Sequence, residues 1–372
     1  VKPGVSLAMI ARNDATRIAR CLKSVQNVVD EIIVVDTGST DGTQKIAREL
    51  GATVVEREWP EDFSEALNGA FDLVTHEWTL RLDSDEWLLP GSAQALKAAT
   101  AQSDVFACTV VFENYQADGR FSEQLGLRLW RTAPEMRLTG VIHEQFTQET
   151  LDRAAKGRKL TASKIRIGHD GYLTEAMPEK HRRNLALIEK ELRARPGNKY
   201  YEAERVRTLF QLADPTAEAE NERFIDDLLT RTNEDIPPSV MVAGPLILTL
   251  DRLPDDQLQT RRTSDILTLA RGWFPREPAV TYAAAKTYIR RNDLRSALDA
   301  LLDLEDMATT SDYDRTGFTH PAMLQEALWQ NLALVAHQLG KKEVAARNYA
   351  RLLDKDPNHP IAKQNMPLLL RS

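Results

Sequence analysis

The chain has 372 residues, more than one ordinary hydrophobic core accommodates and about right for two domains; 42% hydrophobic and 28% charged content describe a globular protein and rule out wholesale disorder. Lysine and arginine number 48 against 55 aspartate and glutamate, and the net charge of -7 gives no general drive toward nucleic acid or an anionic membrane, so any phosphate must be held locally. No apolar run reaches the roughly 18 residues of a membrane span, the N-terminus lacks a basic stretch followed by an apolar one, and Cys21 and Cys108 fall in core-like segments, so the expected setting is the cytoplasm with two reduced thiols.

The apolar run 5–10 has the composition of a strand buried on both faces. Ile18, Cys21, Leu22 and Val25 then recur at helical spacing, with Asn13 or Asp14 available as the cap. Residues 31–35 repeat the strand signal, and Asp41-Gly-Thr-Gln44 reads as a capping box opening a helix that Gly51 ends. A short strand over 52–56, a helix over about 63–74 and a strand over 78–82 complete the series, which implies a mostly parallel sheet with helices on both faces. Asp36 thus lies where a parallel strand ends and a helix begins, the edge at which open α/β sheets bind ligands. Asp36-Thr37-Gly38 also matches the sequence around an aspartic protease carboxylate, but that chemistry takes two such loops on an all-β scaffold, and this α/β scaffold supplies one.

Leu82-Asp83-Ser84-Asp85-Glu86-Trp87 follows the fourth strand. Residues two apart on an extended segment point the same way, so Asp83 and Asp85 can offer hard oxygen ligands to one divalent cation. A lone D-x-D more often caps a solvated turn; its convergence with Asp36 on one sheet edge favours a site.

Taken in order, SLAMIARN, DEIIVVDTGSTDGT, Gly51-Ala52, W..DFSEALN and LRLDSDEW resemble the family 2 glycosyltransferases of the GT-A fold. The resemblance covers roughly residues 5 to 200 and extends to a bacterial subgroup with C-terminal helical repeats, to which the S-glycosyltransferases of peptide antibiotics belong. It implies that Ala11 to Asn13 and Asp36 hold the nucleoside of a nucleotide-sugar donor, a UDP-sugar, with Asp36 accepting a hydrogen bond from the base and Asn68, Arg81 and Ser84 in the same donor site. It further implies that Asp83 lies near the ribose and the metal, that Asp85 ligates Mn²⁺ or Mg²⁺, and that the cation neutralises the diphosphate. The related pattern reads A-A-R-N where this chain has Glu65-Ala66-Leu67-Asn68, so a phosphate or base contact is missing at Leu67. Arg81, on the strand face of Asp83, is expected to pair with the acidic cluster or replace that contact, unless it forms a plain structural ion pair.

Sugar transfer with inversion needs a carboxylate near the acceptor to take its proton. Two β-like stretches, 105–114 and 124–131, lead to Leu138-Thr-Gly-Val-Ile-His-Glu-Gln145, and by the resemblance Glu144 is the catalytic base, the alternative being a solvent-facing His143-Glu144 pair. His169 ends an alternating strand and either completes the metal's coordination or is an ordinary turn residue. Trp87 and Trp130 are stacking surfaces for sugar or core residues.

From about Pro178 helical periodicity takes over, which divides the chain into residues 1–177 and 178–372. Trp329, Leu332, Ala333, Ala336, Gly340, Ala345, Tyr349, Leu352 and Pro357 fit a tetratricopeptide repeat, and Ala284, Ala285, Tyr288, Ala297 and Leu301 a weaker copy. Stacked helix pairs form a groove that suits a peptide or protein acceptor, with homodimerisation or support of the catalytic domain as alternatives. Residues 214–265, rich in Asp, Glu, Thr and Pro, read as irregular helices with loops. The expected protein is an inverting metal-dependent glycosyltransferase. Its alternative is a noncatalytic scaffold, favoured by Leu67, while a nucleotidyltransferase would need a Gly-rich basic loop that is absent after the first strand.

Overall fold

The computed structural model describes residues 2–116, 119, 121–171, 177–231, 240–314 and 321–371. The chain forms two compact units, Val1–Arg195 and Pro196–Ser372. In the first, eight strands among the described residues make one sheet: β1 (Lys2–Ala11), β2 (Glu31–Asp36), β3 (Thr53–Glu56), β4 (His76–Arg81), β5 (Glu86–Leu88), β6 (Val105–Tyr115), β7 (Phe121–Arg131) and β8 (Lys159–His169). Their spatial order is β3-β2-β1-β4-β7-β6-β8-β5. Pairs β1·β2, β1·β4, β2·β3 and β6·β8 are parallel, while β7 runs antiparallel to β4 and β6, and β5 to β8. This is the mostly parallel sheet that the alternation of strands and helices implies, and it is of the GT-A type that the resemblance implies.

The helices of this unit are α1 (Ile18–Val25), α2 (Thr43–Glu49), α3 (Phe63–Phe71), α4 (Ser92–Thr100), α5 (Gln148–Ala155) and α6 (Met177–Ala194). Both faces of the sheet are covered, which is why β1 reads as a continuous apolar run. Leu7 and Met9 pack with Ile18 and Leu22 of α1 and Leu96 of α4, whereas Ala8 joins Leu67, Ala70 and Phe71 of α3 on the opposite face. Ile18, Cys21, Leu22 and Val25 are all fully buried, so the one-sided stripe on α1 is the contact that docks it. Truncating Leu22 to Ala there would cost roughly 2–5 kcal/mol. Cys21 and Cys108 are buried free thiols of the same core.

Two expected caps differ. Asp14 does not cap α1; its carboxylate accepts from the Arg12 amide, and Asp41 accepts instead from the Ala15 amide at 3.0 Å. Gln44 does not reach back to close a capping box, because its amide donates to Asp36 Oδ1 and to the Ser39 carbonyl, each at 2.9 Å. Local capping signals lose here to contacts between the loops after β1 and β2.

Register brings the chemistry to one edge. Ala11 lies beside Asp36, and Ala8 beside Arg81, so β1, β2 and β4 end together. Two antiparallel steps through β7 turn β6 parallel to β4, and β8 follows β6, which places Asn114 and His169 at that edge too. No helix among the described residues is long and apolar enough to cross a membrane.

The second unit is helical among its described residues, with α7 (Lys199–Gln211), α8 (Ala217–Leu228), α9 (Val240–Arg252), α10 (Arg261–Trp273), α11 (Pro278–Arg290), α12 (Leu294–Thr310), α13 (Glu326–Gln338), α14 (Lys342–Lys355) and α15 (Pro360–Arg371). In the pair α13–α14, Leu332, Ala333, Ala336, Ala345, Tyr349 and Leu352 are fully buried, and left-handed Gly340 makes the turn. The pair α11–α12 repeats the device with left-handed Asn292 at the turn and Asp293 capping α12 through the Ser296 amide. Small side chains at the crossing let the helices approach, as the repeat pattern requires. Helix α6, which the periodicity groups with the repeats from residue 178, lies in the first unit.

Candidate active site

The loops after β1 and β2 are laced into one platform. Left-handed Asn13 donates its amide to Ser39 Oγ and accepts the Thr40 amide on Oδ1, both at 2.9 Å, while the Asp14 amide donates to Thr43 Oγ1 at 2.8 Å. Ala11, at the end of β1, is buried beneath it. Asp36, expected to face the base, is 0% exposed, and its carboxylate accepts from the Gly38 and Ser39 amides, the Ser39 hydroxyl and the Gln44 amide. It organises its own turn. The reason is an Asx-type turn, which captures a short carboxylate locally.

The D-x-D segment splits its two carboxylates. Asp83 is joined to Arg81 Nη2 at 3.3 Å from both oxygens and lies 3.6 Å from Arg128 Nη2. Burial would raise its pKa, but the two guanidinium groups outweigh burial and hold the carboxyl below the usual range. Arg81 also binds Glu144 Oε1, and Arg128 binds Glu86 Oε1 at 2.9 Å, so charges alternate along a chain Glu144–Arg81–Asp83–Arg128–Glu86. Burial works against the charge on Arg81, yet Asp83 and Glu144 raise its pKa well above the ordinary value. Glu86 goes the other way: burial raises its pKa against the pull of Arg128. Ser84 is buried and hydrogen-bonds Asp14, whose own pKa burial raises.

Asp85 points to a different set of groups. His169 Nε2 stands 3.8 Å from its Oδ1, and Arg17 Nη1 is 3.5 Å from its Oδ2. His169 Nδ1 meets Asn114 Oδ1 at 2.7 Å. An amide oxygen only accepts, so Nδ1 carries a proton, and Nε2 is the ring nitrogen that faces Asp85. Strand pairing explains the alignment: Glu86 opposes His169, which opposes Asn114, so the three share one face of β5, β8 and β6. Among the described residues no group of three or more His, Cys, Asp and Glu side chains converges as a metal cage, and Asp83, expected as a ligand, is spent on arginines. Asp85 and His169 are the two residues whose donors meet.

Asn68, expected in the donor site, spends its side chain on a neighbouring loop. Its amide clamps the backbone of Leu138, donating to the carbonyl at 3.0 Å and accepting the N–H at 2.9 Å. Ser64 Oγ donates to the Gly140 carbonyl, and the Phe63 amide to the Val141 carbonyl. The DFSEALN segment thus anchors the loop that carries Glu144, with a bridge between Thr139 and Gln145 closing it and His143 in the left-handed region turning it. Leu67, at the departure from the related pattern, is fully buried in the core beside Val35, Phe71 and Trp130. Trp130 is core too, and Trp87 is covered by Arg20, whose guanidinium lies 3.8 Å above the ring and pairs with Asp170.

Residues 6–155 match the family described as Glycosyl transferase family 2. The first unit carries a family 2 glycosyltransferase domain. A TPR repeat-containing protein of Synechococcus elongatus is 42% identical over 140 residues, which is 38% of this chain and 34% of that protein. The SPbeta prophage-derived glycosyltransferase SunS of Bacillus subtilis is 27% identical over 202 residues, 53% of this chain and 47% of SunS. The chain spans less than half the length of either curated relative. A solved glucosyl-3-phosphoglycerate synthase from Mycobacterium tuberculosis is 26% identical over 30% of this chain and 44% of its own, with a TM-score of 0.26.

Several residues of the glycosyltransferase domain's site escape a reading by motif. Arg17, at the N-cap of α1, and Arg20, in its first turn, hold Asp85 and Asp170 respectively. Arg128, a cation within the alternating strand β7, was the available signal for the partner of Glu86. Asn114 behind His169 had none, since its position depends on register between strands distant in sequence.

Proposed function

We propose that the chain is an inverting, metal-dependent glycosyltransferase that moves a sugar from a nucleotide donor, a UDP-sugar, to a peptide or protein acceptor presented by the helical repeats. The observation that carries this reading is the meeting of Asp85 with His169 at the carboxyl edge of the sheet, while Asp83 of the same D-x-D segment shares Arg81 with Glu144. Asp85 and His169 would hold Mn²⁺ or Mg²⁺, and the donor set of one carboxylate and one imidazole braced by Asn114 fits such an ion. When bound, the cation would supply charge to the diphosphate leaving group. The Ala11–Asn13 loop and the turn built by Asp36 would receive the nucleoside. Arg81 holds Oε1 of Glu144, leaving Oε2 to take the acceptor proton. The noncatalytic scaffold rested on Leu67, and the burial of that side chain in the core removes nothing from the cleft.

Calorimetric titration of UDP with and without Mn²⁺ tests the reading. Metal-dependent binding by the wild type that Asp85→Ala abolishes is the expected result. Absence of binding by the wild type, with GDP and dTDP equally inert, would leave the scaffold.

A further inference from the structure

We infer that Arg17 couples the binding of cation and nucleotide: its guanidinium pairs with Asp85, weakens the hold of that carboxylate on a lone cation, and serves the donor's diphosphate once both are bound. The inference rests on the metal-dependent reading above and adds to it a side chain from the N-cap of α1.

Arg17 and Arg20 reach from α1 toward the same ends of β5 and β8, and they are held differently. Arg20 Nη1 lies 2.7 Å from Asp170 Oδ2, its Nη2 donates to Oδ1 at 2.8 Å, and the guanidinium covers the Trp87 ring at 3.8 Å, so a carboxylate and an aromatic face fix it. Arg17 Nη1 stands 3.5 Å from Asp85 Oδ2, beyond the length of about 2.7–2.9 Å of a charge-assisted hydrogen bond. Among the described residues its guanidinium donates no hydrogen bond, and its side chain is 29% exposed against 15% for Asp85. A planar fork of N–H donors, the shape that binds phosphate bidentately, is therefore paired in charge while its hydrogen-bonding capacity is unspent. Arg81 and Arg128, the other guanidinium groups paired with the D-x-D segment, differ from it: Arg81 holds Asp83 and Glu144, and Arg128 holds Asp83 and Glu86.

Charge gives the pairing its consequence. Oδ2 of Asp85 faces Arg17 and Oδ1 faces His169, so guanidinium and cation share one carboxylate. Arg17 and Asp85 cancel each other, and a divalent cation bound alone adds positive charge beside a guanidinium, which weakens its binding. A nucleoside diphosphate offsets that excess. Two oxygens on one ion lie within roughly 3–5 Å of each other, given ligand lengths of about 2.0–2.6 Å. A diphosphate oxygen sharing the ion with Asp85 thus falls within reach of a guanidinium that already stands 3.5 Å from that carboxylate. A side-chain rotation of Arg17 is enough, and α1 stays where buried Ile18, Cys21, Leu22 and Val25 and the Arg20–Asp170 pair hold it.

The experiment titrates Mn²⁺ into the full chain with and without saturating UDP, reading free Mn²⁺ by electron paramagnetic resonance, for the wild type, Arg17→Gln and Arg17→Lys. The quantity of interest is the factor by which UDP tightens Mn²⁺ binding. Arg17→Gln is expected to bind Mn²⁺ alone about 5- to 10-fold more tightly than the wild type and Mn²⁺ with UDP more weakly, so that the factor falls at least about 10-fold. Arg17→Lys, which keeps the charge, is expected to keep most of it. Linkage requires the same loss in the Mn²⁺ dependence of UDP affinity, which calorimetry reads independently. If Arg17→Gln leaves both Mn²⁺ affinities unchanged, or shifts them equally with and without UDP, the coupling role is overturned while the cation reading stands. If the wild type binds Mn²⁺ neither alone nor with UDP, the cation reading falls and takes the inference with it.

Discussion

Arg81 shows what a single residue carries. Its side chain is 8% exposed and that of Glu144 12%, so solvent screens their pair little. Replacing Arg81 with methionine leaves the carboxylates of Glu144 and Asp83 short of a partner in a poorly hydrated place, at a cost of about 3–5 kcal/mol. Urea denaturation of Arg81→Met is expected to show that loss, with Arg81→Lys recovering part of it. A Mn²⁺-dependent UDP affinity unchanged in the folded Arg81→Met protein would reduce Arg81 to a structural ion pair. The sequence places Arg81 and Asp83 on one strand face, because the period of a strand is two. It does not name Glu144 as the third member, which comes from a loop 63 residues away.

At the scale of elements, α3 and the loop over 138–145 act together. The loop's backbone is held by three side-chain hydrogen bonds from Ser64 and Asn68 and by one amide from Phe63. Asn68→Ala strands a backbone N–H and carbonyl at Leu138, worth roughly 1–3 kcal/mol of local stability. Displacement of Glu144 by about 1 Å is enough to slow a proton transfer on the order of 100-fold. The expected outcome is a lower kcat with donor binding unchanged; weakened UDP affinity alone would return Asn68 to the donor site. The motif DFSEALN is legible as a helix start, and Asp62 does cap α3 through the Glu65 amide. Its task at a distant loop is not, since nothing local links residue 68 to residue 138.

At the scale of the whole molecule, each unit has its own cores, and the helical one contains a group sensitive to pH. Glu277 caps α11 by accepting from the Ala279 amide, but it is 3% exposed and Asp314 lies nearby. A charged carboxylate at a helix N-terminus gains about 0.3–1 kcal/mol. Burial outweighs that gain and, with the Asp314 charge, pushes the pKa from 4.5 up to about 7. Between those two values the folded protein binds more protons than the unfolded one, so stability falls as pH rises, by about 3 kcal/mol across the window. Thermal melts should find Glu277→Gln more stable than the wild type at pH 8 and equal to it at pH 5. An equal difference at both values would exclude titration of Glu277 as the cause.

Apolar periodicity and turn residues are local, so the sequence by itself determined the alternation of strands and helices through β4, their winding on both faces, the repeat pairs and the edge on which Asp36, Asp83 and Asp85 lie, but not β5, α5 or the regular helices α8 and α9. Side-chain partnership is not local. Only the tertiary structure decided that Asp36 spends its oxygens on its own turn, that Asp83 belongs to arginines while Asp85 faces His169, that Leu67 is core, and that Asn68 serves the loop of Glu144. Each of these outcomes depends on register and packing between segments far apart in the chain, where a carboxylate or amide takes the nearest strong partner that the fold presents.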